Sequence, residues 1–211
     1  MNEINYQEVE DASFAEVYQK LPIQAFKGKD FTIWDKSGKE YLDFMGGYGV
    51  AIVGHCNPSV VAAINEQANR LLICHGSMYN EARAIFLQKL HRLAPSRLSK
   101  AYLSNSGAEA VECALKVAKK YQGRKNVVAM TGSYHGKTSG ALSATWNPKY
   151  RTSFEPLLPG FTFAPYANIN ELEKSVTEAT AAVILEPIQG ESGVLIPPNG
   201  YLKEVRRICS D

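Results

Sequence analysis

From Ala101 to Cys209, short apolar runs alternate with stretches of helical periodicity, and this alternation restricts the fold more than any other feature of the sequence. Ala101-Tyr102-Leu103, residues 127–130 and residues 181–185 are too short for helices and apolar throughout, as strands covered on both faces are. Between and after them, residues 108–121 form an amphipathic helical pattern closed by Gly123, residues 170–179 read as helical, and a further helix spans 201–209. Strands that alternate with helices imply an α/β architecture around a largely parallel sheet.

The chain before Ala101 reads differently. A polar lead is followed by short strands broken by turns: strands at residues 23–26, 31–34 and 41–44, with turns at Gly28-Lys29-Asp30 and residues 35–39. At Asn57 the pattern changes. Asn57 suits an N-cap, Pro58 the first helical position, and Val61, Ile64, Ala68 and Leu71 recur at helical spacing. A second helix is expected over 80–93, with Ala84, Leu87, Leu90 and Leu93 on its apolar face. The expected division is therefore a small segment, 1–57, and a larger α/β part, 58–211.

Several function classes are disfavoured. Of 211 residues, 23 are basic and 21 acidic, a net charge of +2 that gives no basic surplus for nucleic acid or an anionic membrane. The acidic first residues lack the basic and apolar regions of a signal peptide, and no apolar run is long enough to cross a bilayer, so a cytoplasmic protein is expected. Cys56, Cys74, Cys113 and Cys209 follow no framework spacing and are expected to be reduced thiols. His55-Cys56 and Cys74-His75 carry metal-ligand chemistry, but adjacent residues of an extended segment point to opposite sides and no C-x-x-C occurs; no metal site is expected.

In an open α/β sheet ligands bind beyond the carboxyl ends of the strands, which directs attention to three turns. In Ser104-Asn105-Ser106-Gly107-Ala108-Glu109 a strand runs into a helix through small residues. Such a helix start is an anion site, and equally an ordinary serine cap. The second turn, Thr131-Gly132-Ser133-Tyr134-His135-Gly136-Lys137-Thr138, ends like a Walker A loop, which would make the protein a nucleotide-binding enzyme. Only three residues separate its glycines where that loop has four, and two of the three are bulky. The other use of this turn is an aromatic platform, Tyr134, with Lys137 reaching a carboxylate. The third turn, Glu186-Pro187-Ile188-Gln189-Gly190-Glu191-Ser192-Gly193, clusters two carboxylates and an amide at a strand end, an arrangement that favours a pocket over burial without partners.

Four segments in order, YLDFMGGYGVAIVGHCNP, NSGAEAVECALKVAKKYQGRK, SYHGKTSGALSATWNPKYRTSFEPLLPG and AAVILEPIQGESGV, resemble the class III aminotransferases, fold-type I enzymes dependent on pyridoxal 5'-phosphate. The resemblance runs from about Phe26 to the last residue and is to the acetylornithine and ornithine aminotransferase-like members. It implies that Ser106, Gly107 and Ala108 hold the cofactor phosphate, that Tyr134 stacks on its ring, and that Glu186 is a pocket carboxylate near it. On the substrate side it implies Tyr48, Lys137 and Glu191, the last resembling a glutamate that pairs with a distant arginine and swings away according to substrate. Lys137 departs from the arginine usual in this position; it keeps the charge and loses the two-bond fork, which leaves carboxylate recognition open there.

The implied reaction is a two-stage amino transfer on a homodimeric enzyme, with residues 1–57 in the small domain and 58–211 in the first part of the large one. Through TWNPKYRTSFEPL and EPIQGESGV the chain is similar to archaeal members of arginine and lysine synthesis. Those move the ω-amino group of acetylornithine, or of lysine or ornithine linked to an amino-group carrier protein, to 2-oxoglutarate; ornithine and 4-aminobutyrate are the alternative donors. No catalytic residue is expected in this chain. The family's ring-nitrogen aspartate and Schiff-base lysine are expected beyond Asp211, and the 211 residues alone are expected to be inactive.

Overall fold

The computed structural model describes residues 4–210, which form two compact units dividing between Lys89 and Leu90. In the first, helix α1 (Tyr6–Ser13) starts at Asn5, whose side chain accepts from the Glu8 amide at 3.3 Å. Strands β1 (Ala25–Lys29), β2 (Thr32–Asp35) and β3 (Glu40–Leu42) follow as an antiparallel meander. The turn expected at Gly28-Lys29-Asp30 is displaced. Gly28 pairs with Ile33 and Lys29 with Thr32, so β1 runs through both and the chain reverses at Asp30 and Phe31.

A single irregular turn, α2 (Gly46–Gly49), precedes helix α3 (Pro58–Arg70). The start of α3 is as expected, with the Asn57 side chain accepting from the Ser59 and Val60 amides at 3.1 and 3.4 Å. Helix α4 (Glu81–Leu93) begins after Asn80, whose side chain accepts from the Arg83 amide at 2.9 Å.

The second unit holds helix α5 (Gly107–Gln122), strand β4 (Asn126–Met130), the short helices α6 (Ser139–Ser143) and α7 (Pro148–Arg151), strand β5 (Phe161–Ala164), helix α8 (Ile169–Ser175), strand β6 (Thr180–Val183) and helix α9 (Tyr201–Ile208). The three strands make a parallel sheet in the order β5-β4-β6. The central strand is buried on both faces, which explains its unbroken apolar run. Val128 and Met130 pack with Leu172 of α8 and with Tyr201, Val205 and Ile208, one stripe of α9. Val127 and Ala129 alternate to the opposite face and are fully buried there, and α5 packs against β6. Residues 101–103, expected as a strand, are exposed and pair with no strand among the described residues. An apolar triplet supplies β propensity, but only a hydrogen-bonded neighbour makes a strand. Helix α8 stops at Ser175, short of the expected 179, because Thr177 and Thr180 close a turn that feeds β6. Among the described residues no helix is long and apolar enough to cross a membrane.

Candidate active site

The turns after β4 and β6 meet, and the contacts between them are specific. Gln189 is wholly buried; its side-chain amide donates to the Thr131 carbonyl at 2.9 Å, and its backbone exchanges two hydrogen bonds with Leu195. The Ser192 hydroxyl donates to the Gly132 carbonyl at 2.7 Å. Gly132, at φ +78°, must lack a side chain, since a Cβ there would lie 2.9 Å from Gln189 Oε1 and collide with the Ser192 hydroxyl. These contacts hold the loop of Glu191 against the turn of Tyr134.

The second turn also closes on the start of α5. At Gly136, φ +136°, a Cβ would stand 2.8 Å from the Ala108 Cβ and 3.1 Å from the Ala141 Cβ. One turn further along α5, the Glu112 carboxylate accepts from the Gly140 amide at 2.7 Å and the Ala141 amide at 3.3 Å, capping α6. Burial alone would raise the pKa of Glu112, but the Thr138 hydroxyl, those two amides and nearby Lys116 together hold it below the ordinary value.

Ser106 caps α5, its hydroxyl accepting from the Glu109 amide at 3.2 Å, while the Glu109 carboxylate takes the Asn105 amide at 2.8 Å. Gly107 and Ala108 lie in the first turn, whose N–H groups have no carbonyl four residues before them. Beside this helix start the Tyr134 amide donates to Glu186 at 3.2 Å, and the Tyr134 and Tyr150 rings form a T-shaped pair with 5.6 Å between centroids. Burial pushes the Glu186 carboxyl up, with Glu191 adding to the effect and the Tyr134 and Gly190 amides opposing it. The Glu191 carboxylate accepts a hydrogen bond from the Tyr150 hydroxyl.

Of the residues expected to form the site, Ala108, Tyr134, Glu186 and Glu191 are thus linked by this set of contacts, with Ser106 and Gly107 exposed beside Ala108. Lys137 is exposed at the end of the second turn. Tyr48 belongs to the first unit, where it is 86% exposed at φ +57°. Gln189, the amide of the third turn, and Ser192 behind it tie that turn to the second; Glu112, Thr145 and Tyr150 complete the arrangement and were not singled out from the sequence. Glu112 did carry a signal, a carboxylate on the same helical stripe as Ala108 and Leu115.

A Walker A loop aims its amides at phosphate, whereas here the Tyr134 amide goes to Glu186 and the His135 amide to the Thr145 hydroxyl at 2.9 Å. The His135 ring is mostly buried, which pushes its pKa down to about 4, so it is neutral at pH 7. All four cysteines are free, and among the described residues no three His, Cys, Asp or Glu side chains converge as a metal site. His55 instead pairs with Asp43 at 2.7 Å.

Residues 13–211 match the family described as aminotransferase class-III. The chain is 45% identical over 204 residues to the acetylornithine aminotransferase of Methanopyrus kandleri, covering 97% of this chain and 52% of the relative. It is 43% identical over 197 residues to the LysW-aminoadipate semialdehyde transaminase of Deinococcus radiodurans, covering 92% and 46%. Among solved structures it superposes with a TM-score of 0.87 and 31% identity on an ornithine aminotransferase of Toxoplasma gondii with pyridoxal phosphate at partial occupancy in its active site, covering 97% of this chain and 50% of that one. The chain spans about half the length of the curated relatives it matches.

Proposed function

Because the chain belongs to the class III aminotransferases, a family that works with pyridoxal phosphate, we propose that it builds the phosphate cradle, ring platform and part of the substrate pocket of an ω-aminotransferase. The amino group moves from acetylornithine, or from lysine or ornithine linked to a carrier protein, to 2-oxoglutarate, in arginine or lysine biosynthesis in the cytoplasm. The names of the Methanopyrus and Deinococcus relatives support these donors, and the name of the Toxoplasma structure supports free ornithine as the alternative.

The observation that carries this reading is the closure of the Tyr134 turn on the start of α5, where Gly136 meets Ala108. It brings a helix start with first-turn amides, suited to a phosphate, beside an aromatic ring suited to a flat heterocycle. The donor set fits the cofactor: Gly107 and Ala108 amides for the phosphate, joined by the Ser106 hydroxyl once it turns from the Glu109 carboxylate it now donates to at 3.2 Å, the Tyr134 face for the ring, and Glu186 beside it. When bound, the cofactor supplies the electron sink that lets the substrate lose a proton at the carbon bearing nitrogen.

This chain's own residues bind and orient. Lys137 offers one cation to a substrate carboxylate, and Glu191 offers an anion to a cationic group. The burial-raised Glu186 keeps a carboxyl close to the ring. The enzyme that contains this chain works as a homodimer. The test is a chimera in which these 211 residues replace the matching part of the Methanopyrus kandleri enzyme. It should take up pyridoxal phosphate as a yellow species fixed by borohydride, and transaminate acetylornithine with 2-oxoglutarate. A colourless protein, or a borohydride label on Lys137, would overturn the assignment.

A further inference from the structure

We propose that Tyr150 is a specificity-determining residue: its hydroxyl donates to the Glu191 carboxylate and thereby sets how much of that negative charge an incoming substrate meets. The inference rests on the aminotransferase reading above and on an asymmetry between the two partners. Tyr150 stands on a fixed element. Helix α7 starts at Asn147 with Pro148 in its first turn, and the Asn147 side chain accepts from the Lys149 amide at 3.0 Å. Next to Tyr150, Arg151 donates to the Thr145 carbonyl at 2.9 Å and the Ser143 carbonyl at 3.3 Å, and its guanidinium lies 4.9 Å from the centre of the Phe163 ring on β5. Trp146 meets the same ring edge-on at 5.1 Å.

Glu191 is exposed, in a short loop closed at its base by the Gln189–Leu195 bridge and the Ser192–Gly132 bond. Its side chain is the part free to adjust, and Tyr150 is the donor that holds it. The Tyr150 ring also contacts the expected cofactor platform, Tyr134, so the charge is held next to the place where substrate would react.

A carboxylate offers about four lone-pair directions, and a phenol that fills one competes with an ammonium group for the same atoms. It also spreads the charge that a second carboxylate would feel. Removing the hydroxyl makes Glu191 a better partner for a cation and a worse neighbour for an anion. Tyr150→Phe is the suitable probe because it keeps the ring against Tyr134.

In the cofactor-loaded enzyme containing this chain, Tyr150→Phe should lower KM for the ω-amino donor and raise KM for the dicarboxylate acceptor, each by about threefold to tenfold. Loss of packing alone does not move two KM values in opposite directions. Unchanged values, or values that move together, overturn the proposal. The bond itself is read without catalysis, from thermal unfolding of the chain as Tyr150→Phe, Glu191→Gln and the double variant. The double variant should melt no lower than the less stable single one, and additive losses overturn the proposal. Transamination with unmoved KM values refutes Tyr150 alone, whereas coupling between the two residues with no transamination by the complete enzyme refutes the aminotransferase reading and the specificity role with it.

Discussion

Replacing Gly136 with alanine tests the contact that assembles the site. The new Cβ would lie 2.8 Å from the Ala108 Cβ, 3.1 Å from the Ala108 Cα and 3.1 Å from the Ala141 Cβ. Carbon atoms settle at about 3.5 to 4.0 Å, so the turn and α5 must separate by roughly half an ångström or more. None of the three neighbours can rotate away, because each is a backbone atom or a Cβ. Overpacking of this kind costs about 1–3 kcal/mol, and holding alanine at φ +136° costs of the order of 1–3 kcal/mol more. The sum, about 2–6 kcal/mol, should appear as a lower urea midpoint at unchanged slope, together with weaker pyridoxal phosphate binding. The double variant Gly136→Ala, Ala108→Gly removes the nearest contact but not the backbone strain, so it should recover part of the loss, less up to about 1 kcal/mol for glycine in a helix. A Gly136→Ala chain with an unchanged midpoint would refute the packing argument, and a double variant less stable than the single one would place the whole cost in the backbone.

Two further substitutions probe the charges around this contact. Glu112 is held below its ordinary value of 4.5, so its contribution is fully present above that pH and is lost as pH falls through the folded-state value. Glu112→Gln should therefore destabilise by about 1–2 kcal/mol at neutral pH and converge with the parent in acid, as followed by urea unfolding at a series of pH values. Lys137→Arg restores a planar fork toward a substrate carboxylate; in the complete enzyme it should lower KM for 2-oxoglutarate about fivefold, the worth of one further hydrogen bond of about 1 kcal/mol, and an unchanged KM would remove Lys137 from carboxylate recognition.

The local signals in the sequence translated well into structure. Asn57 and Pro58 start α3, Gly123 ends α5 at φ +66°, and the apolar stretch 127–130 is the central strand, because caps, left-handed turns and two-sided burial each leave a mark within a few residues. Partners distant in sequence left none. Strand β5 is only Phe-Thr-Phe-Ala, with too little alternation to stand out, and it exists because Phe163 and Ala164 pair with Ala129 and Met130. Residues 101–103 carry similar apolar character and lack that pairing. The same holds for the site. The serine cap, the aromatic turn and the clustered carboxylates were visible as separate groups. What joins them was not: Gln189 reaches Thr131, Glu112 reaches Gly140 and Tyr150 reaches Glu191 across 28 to 58 positions. Amides and carboxylates that reach so far along the chain are placed by tertiary contact, and only Glu112, on the core-facing stripe of its helix, could have been read from spacing.

The central claim is that the start of α5 and the Tyr134 turn together receive pyridoxal phosphate. Backbone amide resonances of the chain, followed during titration with pyridoxal phosphate and separately with inorganic phosphate, test it most directly. Both ligands should shift Gly107 and Ala108, and only pyridoxal phosphate should also shift Tyr134. Resonances at α5 that stay in place, or shifts confined to Ser59 and Val60 at the already capped start of α3, would contradict it.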